Sequence, residues 1–286
     1  MKKVTWQYTT EHTTGQFESD GQILTSLATD KRTGETVGDL LLPYRLLSTN
    51  AWHGEAREMA HQAELIEDGI VCTWSPTIGH PAQLTITTKR IGVNTLDVSV
   101  EVRAEAHFSQ YEVFYSNYLR KPMRGGAYVA SLPHETSPAP GWTPVFPESA
   151  AMFREIYIAF PRDERGAERI CDGRWQRGRH FTRFLPCRYY AAPLAFYHHP
   201  ETGLTTTMMA SPQDAYAVSL AYQTTEQHDG VGHHNSLYLS LFGRDLQAGE
   251  KAQARLRMVI DRSGTDPAQH YAHYKTFLGV NGCGHP

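Results

Sequence analysis

A chain of 286 residues, 40% hydrophobic and 20% charged, carries enough apolar material to bury a sizeable core without staples and is too apolar for intrinsic disorder. A formal net charge of −3, with no Lys/Arg run longer than two residues, excludes the electrostatic footprint of a nucleic-acid-binding protein. No stretch nears 18 apolar residues, which argues against a membrane span, and Met1–Thr10 lacks the apolar segment of a signal peptide.

Period-two alternation dominates the chain, and it predicts strands. In order, β-rich runs cover 22–29, Ile70-Cys72-Trp74, Leu84-Ile86, Leu96-Val98-Val100-Val102, 111–118, 188–197, 203–210, 215–222, 236–243 and the alternating series from Ala252 to Ile260. Turn chemistry bounds them at Asp20-Gly21, Thr33-Gly34, Asp68-Gly69, Thr202-Gly203 and Ala248-Gly249. Ten or more strands without alternating helices predict an all-β, two-layer antiparallel fold. Two short helices are expected: one over 149–157, and one over 267–278, where Asp266 caps, Pro267 occupies the first turn and Gly279 follows the end. The stretch 132–148 carries five prolines and reads as a long loop over one end of the sheet, so the whole of 1–286 is expected to be one domain. Cys72, Cys171, Cys187 and Cys283 lie far apart without a C-x-x-C and read as reduced thiols, which suits a cytoplasmic protein.

Three segments resemble the galactose mutarotase-like (aldose 1-epimerase-like) proteins. Asp20-Gly21-Gln22-Ile23-Leu24-Thr25-Ser26-Leu27, with Lys31-Arg32-Thr33-Gly34-Glu35, is similar to that family's opening hairpin. Leu246-Gln247-Ala248-Gly249-Glu250, followed by the strand 252–260, is similar to its turn into a closing strand. Tyr111-Glu112-Val113-Phe114-Tyr115-Ser116-Asn117-Tyr118-Leu119 stands where the family places an asparagine-containing strand. Over about residues 15–262, the resemblance implies an antiparallel supersandwich of two large twisted sheets, with a broad sheet face that binds sugar. It also implies a glutamate base and a histidine acid, helped by a second histidine after the asparagine. Here Tyr118 follows Asn117, and Glu250 lies within the turn itself, so the acid and base are sought elsewhere.

Four polar constellations offer candidates. His233-His234-Asn235 stands between Gly230/Gly232 and a strand, where adjacent histidines point to opposite faces and only one can enter a site; it reads either as acid and ligand at a sheet rim or as an exposed turn. No metal is expected, because no H-x-H or H-x-x-x-H pair accompanies it. Asp172-Gly173-Arg174-Trp175 places an indole beside charged groups, which suits either stacking on a sugar with Arg174 and Asp172 orienting hydroxyls, or a tight turn with an internal ion pair. Asn117, Tyr118 and Arg120 end a strand before Gly125-Gly126, with Glu112 on the same face as Phe114, Ser116 and Tyr118. His134-Glu135 lies in the proline-rich loop near Trp142, and Trp52-His53-Gly54-Glu55 is a rim candidate.

The abundance of Tyr and His (15 each) suits the stacking and hydrogen bonding that sugars demand. No phosphate loop, nucleophile elbow or zinc-protease motif occurs. The leading expectation is therefore a sugar epimerase or mutarotase-like enzyme without a cofactor, acting on a mono- or oligosaccharide, with His134 and one of His233/His234 as the proton-transfer pair. The alternatives are a lyase or hydrolase on an anionic sugar, in which Tyr118 or a histidine takes a proton beside Arg120 or Arg174, and a non-catalytic carbohydrate-binding module.

Overall fold

The alternating runs fold as strands in the computed structural model, which describes residues 3–49, 51–120, 122–130, 141–145, 156–176, 183–186, 188–222 and 234–279. In chain order they begin with β1 (Val4–Thr9), β2 (Thr13–Ser19), β3 (Leu24–Asp30), β4 (Thr36–Ser48), β5 (Ala51–Glu55), β6 (Gln62–Ile66), β7 (Gly69–Trp74), β8 (Ala82–Arg90), β9 (Thr95–Ala104) and β10 (Phe108–Arg120). Next come β11 (Arg124–Val129), β12 (Gly141–Val145), β13 (Ile156–Pro161), helix α1 (Glu164–Cys171) and β14 (Arg183–Pro186). The chain closes with β15 (Tyr190–His198), β16 (Thr205–Ala210), β17 (Ala215–Tyr222), β18 (His234–Leu246), β19 (Lys251–Asp261) and helix α2 (Pro267–Phe277).

These strands make two sheets. One has ten strands in the order β1-β2-β3-β4-β10-β18-β17-β13-β14, with β5 added against β4; the other has nine, in the order β12-β11-β15-β16-β19-β9-β8-β7-β6. Neighbours run antiparallel, save β13 and β14, which are parallel. The expected all-β antiparallel supersandwich is the architecture observed.

Alternation explains how the layers join. On β9, Leu96, Val98, Val100 and Val102 are buried, and on β19 their register neighbours Met258, Leu256, Ala254 and Ala252 are buried beside them. Those inner faces meet Trp6, Phe17, Tyr111, Tyr115 and Leu239 of the ten-stranded sheet in one core. Each large apolar side chain withdrawn there contributes about 1.5–3 kcal/mol.

Helix α2 starts as its sequence dictates: Asp266 accepts a 2.9 Å hydrogen bond from the Ala268 amide, and Pro267 sits at the first turn. Its Tyr274 and Phe277 cover Leu194, Met209 and Val259 on the outside of the nine-stranded sheet, while His273 reaches Asp261 at 2.7 Å. Two expectations are corrected. Residues 141–145 of the proline-rich stretch form β12, which is tolerated because β12 is an edge strand and Pro144 has a neighbour on one side only. The helix expected over 149–157 is not formed at its end, where Ile156 and Tyr157 open β13; residues 149–155 lie outside the described residues. Helix α1 was not foreseen, though Asp163 caps it by accepting 2.8 Å from the Gly166 amide.

Two buried histidines make stability depend on pH. Burial, aided by neighbouring His53, depresses His80 to about 3, and burial depresses His270 to about 4. A histidine depressed on folding stabilises the native state above its unfolded value near 6.5, and that contribution fades as pH falls toward the folded value. At about pH 4.5 each is expected to cost about 2–3 kcal/mol relative to neutral pH. Thermal unfolding from pH 7 to 4 checks this, and a melting temperature flat across that range contradicts it.

Candidate functional site

Strand β10 has two personalities. Val113, Tyr115 and Leu119 face the inter-sheet core, and Asn117 joins them, its Oδ1 accepting 2.7 Å from the Leu41 amide and its Nδ2 facing Met258 Sδ at 3.7 Å. The intervening Glu112, Phe114, Ser116 and Tyr118 are therefore presented on the outer face. There a second aromatic cluster gathers Tyr44, Phe114, Trp175, Tyr216 and Tyr238, with half-buried Trp52 and Tyr118 packed against it.

The rings and guanidinium groups interlock. Phe114 stacks on Tyr238 at 4.6 Å between centroids, and Tyr118 sets its edge against Tyr44 at 5.7 Å and Tyr238 at 6.1 Å. The Arg57 guanidinium lies 4.6 Å from the Tyr44 ring centre and 5.3 Å from that of Tyr118. Arg45 lies 4.7 Å from the Tyr44 ring centre and is buried, its Nη1 donating 2.8 Å to the Trp175 carbonyl. Guanidinium is weakly hydrated and planar, so it can lie on aromatic faces while still offering donors outward. Arg57 retains 24% side-chain exposure while pairing with Glu55 at 3.4 Å and Glu58 at 4.0 Å, so it meets solvent as an already paired cation.

Opposite Tyr118 in the β4–β10 register stands Asp39, and residues directly opposed across an antiparallel pair project to one face. Asp39 is half-buried. Burial pushes its carboxyl above the usual range, against the opposing pull of Arg120 and Arg57. Burial likewise raises the Tyr118 phenol far above its ordinary value, reinforced by Tyr238 and Tyr44 and opposed by Arg57. Glycine is required one residue before Asp39: Gly38 has φ +151°, and a Cβ there would stand 2.0 Å from the Tyr118 carbonyl oxygen. Gly38→Ala is expected to cost about 2–3 kcal/mol by forcing β4 off β10. A urea midpoint equal to that of the parent protein contradicts this.

A second polar network lies deeper on the same face. Trp175 Nε1 donates 2.9 Å to Glu112 Oε1, and Arg174 Nη1 lies 3.4 Å from Glu112 Oε2 while its Nη2 lies 2.8 Å from Asp172 Oδ2. Burial raises the Glu112 carboxyl above the usual range, while Arg174, Tyr216, Trp175 and Ser240 favour its charged form. The Tyr216 and Ser240 hydroxyls face this carboxylate without closing a full hydrogen bond. Burial works against the Arg174 charge, and the surrounding Tyr216, Glu112 and Asp172 outweigh it, so Arg174 stays a cation.

The sequence-predicted residues distribute unevenly over this geometry. Tyr118 sits in the half-exposed aromatic and guanidinium cluster, and exposed Arg120 lies within electrostatic reach of Asp39. Asp172, Arg174 and Trp175 form the turn and ion pair, with Arg174 and Trp175 beneath the surface. Asn117 faces the core, and Asn235 is buried with its Nδ2 donating 2.6 Å to the Met123 carbonyl. His134 and His233 lie outside the described residues, and the backbone of His234 opens β18 opposite Arg120. Sequence reasoning missed Asp39, Tyr44 and Arg57. A signal did exist for the first: Asp39 interrupts an otherwise apolar run from Val37 to Leu42, where a charge in a central strand needs a reason.

No protein-family model matches the sequence, and no curated protein matches it. Among solved structures, the GalM/aldose epimerase homologue from C. elegans covers 91% of this chain and 99% of its own, with a TM-score of 0.55 at 7% identity. The Slr1438 protein from Synechocystis sp. PCC 6803 covers 92% of this chain and 97% of its own, with a TM-score of 0.55 at 10% identity. The fold is thus the galactose mutarotase-like supersandwich.

Proposed function

We propose that this chain is a carbohydrate-active isomerase of the mutarotase-like class, whose sugar lies on the outer face of the ten-stranded sheet against Tyr118 and Arg57, with the buried Tyr44 ring beneath them. The observation that carries the reading is the pairing of Asp39 with Tyr118 beneath the Arg57 guanidinium: a carboxyl raised by burial, a phenol and a cation on one half-exposed aromatic surface. Flat aromatic rings suit the apolar face of a pyranose, and the guanidinium suits its hydroxyls. The fold it shares with an aldose epimerase homologue supports the same class.

Anomer interconversion needs two proton transfers. A base removes the proton from the anomeric hydroxyl while an acid protonates the ring oxygen as the C1–O5 bond opens, and reclosure on the other face returns both protons. We assign the base to Asp39, whose raised pKa brings it nearer to neutral operating conditions, and the acid to Tyr118, whose burial keeps its proton in place until the ring oxygen needs it. The chemistry balances without a cofactor. The proposal extends to one domain over residues 1–286, and to a cytoplasmic setting, which agrees with free thiols at buried Cys72 and exposed Cys171. Exchange NMR across common aldoses, including uronic acids, tests the activity; absence of acceleration with every sugar removes it.

A second reading rests on Arg57 and Arg120, which flank the Asp39–Tyr118 pair with positive charge. Such a rim suits a uronate, with ionised Asp39 removing the proton beside its carboxylate and protonated Tyr118 delivering a proton to the departing glycosidic oxygen in a lyase reaction. Formation of an ultraviolet-absorbing unsaturated product from uronate polymers distinguishes it.

A further inference from the structure

A cleft of about 360 Å³ opens beside helix α1. Gln110, Arg165, Glu168, Arg169, Asp172 and Arg174 line it. Asp172 and Arg174 belong to the ion-pair network described above, but the proposed outer-face site does not use this cleft. Its volume falls at the low end of ligand pockets, roughly 300–1,000 Å³.

Two features mark it as built. Gln110 adopts a left-handed backbone (φ 54°) at an irregularity of β10, and Asp245 Oδ1 holds it by accepting 2.9 Å bonds from both its amide nitrogen and its Nε2. A bulky residue in that conformation carries strain that its surroundings must maintain. The result is that the Gln110 carbonyl accepts 2.7 Å from Arg174 Nη1, and its Oε1 accepts from Arg169 Nε. The second feature is Arg169 itself. Its guanidinium is fixed by Gln110 at one edge and by the Tyr216 ring at 5.4 Å, yet Nη1 is buried without an acceptor. A buried guanidinium donor left unpaired is costly, and because the Arg169 side chain as a whole is half-buried, a small swing toward the cleft would bring Nη1 to a ligand acceptor.

The lining also discriminates between ligand chemistries. Arg165 and Arg169 only donate hydrogen bonds, whereas Glu168 and Asp172 only accept them when ionised. A phosphate or sulfate would satisfy the arginines but meet two carboxylates. A vicinal diol both accepts and donates at each oxygen and can serve both kinds of wall at once. Among the described residues no aromatic ring lines the cleft, so those that do line it recognise a ligand through hydrogen bonds instead of stacking. We infer that this cleft is a second carbohydrate-binding site, taking one polyhydroxylated sugar unit between α1 and Gln110, independent of the outer-face site.

The full-length protein, labelled with 15N in arginine, tests this with methyl glucoside, methyl galactoside, methyl mannoside and inorganic phosphate as probes. The Arg169 Nε–Hε signal is expected to shift saturably with at least one glycoside. Glu168→Ala, an exposed substitution that leaves the core untouched, is expected to weaken that binding about tenfold, as loss of a charge-assisted hydrogen bond predicts. Arg169→Met is expected to abolish the site, and Arg57→Ala to leave the titration unchanged, which separates this site from the proposed outer-face one. Three results overturn the inference: no shift with any glycoside, equal glycoside affinity in Glu168→Ala, or saturation by phosphate alone.

Discussion

Replacing Arg174 with methionine is expected to lower the unfolding free energy by about 3–5 kcal/mol, because it strands Glu112 in the interior without its counter-charge. Arg174 and Glu112 are both fully buried, so solvent cannot take over the lost pairing. Methionine keeps much of the apolar stem, which confines the change to the guanidinium. The same substitution frees the Gln110 carbonyl and the Asp172 carboxylate from their Arg174 bonds. Adding Glu112→Gln to the methionine variant is expected to restore part of the loss, since the buried carboxyl that needed a partner is gone. Urea unfolding of the single and double variants measures this. A single-variant loss below about 1 kcal/mol, the range of exposed ion pairs, contradicts the picture of a buried network.

The second large effect concerns Asp39. Asp39→Asn is expected to reduce anomer interconversion by about 10²–10⁴-fold while leaving unfolding nearly unchanged. The base must be ionised, so the wild-type rate is expected to rise with pH through an apparent value above the ordinary carboxylate range, because burial raises Asp39. Arg57→Ala removes one of the two cations that favour the ionised form, so the rising limb is expected to move further upward in pH. A limb that moves downward, or an Asp39→Asn enzyme with full activity, contradicts the assignment of the base.

The fold was legible because alternation is a local property. Leu96 to Val102 and Ala252 to Ile260 each declare a buried face over several consecutive pairs, and the two strands then lie side by side. Helix α2 was legible for a similar reason, since Asp266, Pro267 and Gly279 punctuate its two ends. The site was harder. Asp39, Arg57 and Tyr118 come from β4, the turn after β5, and β10, and only the β4–β10 register brings the first beside the third. Trp175 reads locally as a stacking surface, yet its indole nitrogen is committed to Glu112, 63 residues away in sequence. Asn117 reads as a strand-end ligand, and the parity of β10 turns it toward Met258 instead. Edge position, too, is invisible locally: Pro144, one of the prolines that suggest a loop over 132–148, is compatible with β12 once that strand has a single neighbour.

Nuclear Overhauser contacts between a bound sugar and the protein, with only tyrosine rings protonated in a deuterated background, test the location of the sugar most directly. The outer-face account predicts contacts from sugar ring protons to Tyr44 and Tyr118, weakened in Arg57→Ala. Saturable sugar binding with no contact to either ring would contradict it.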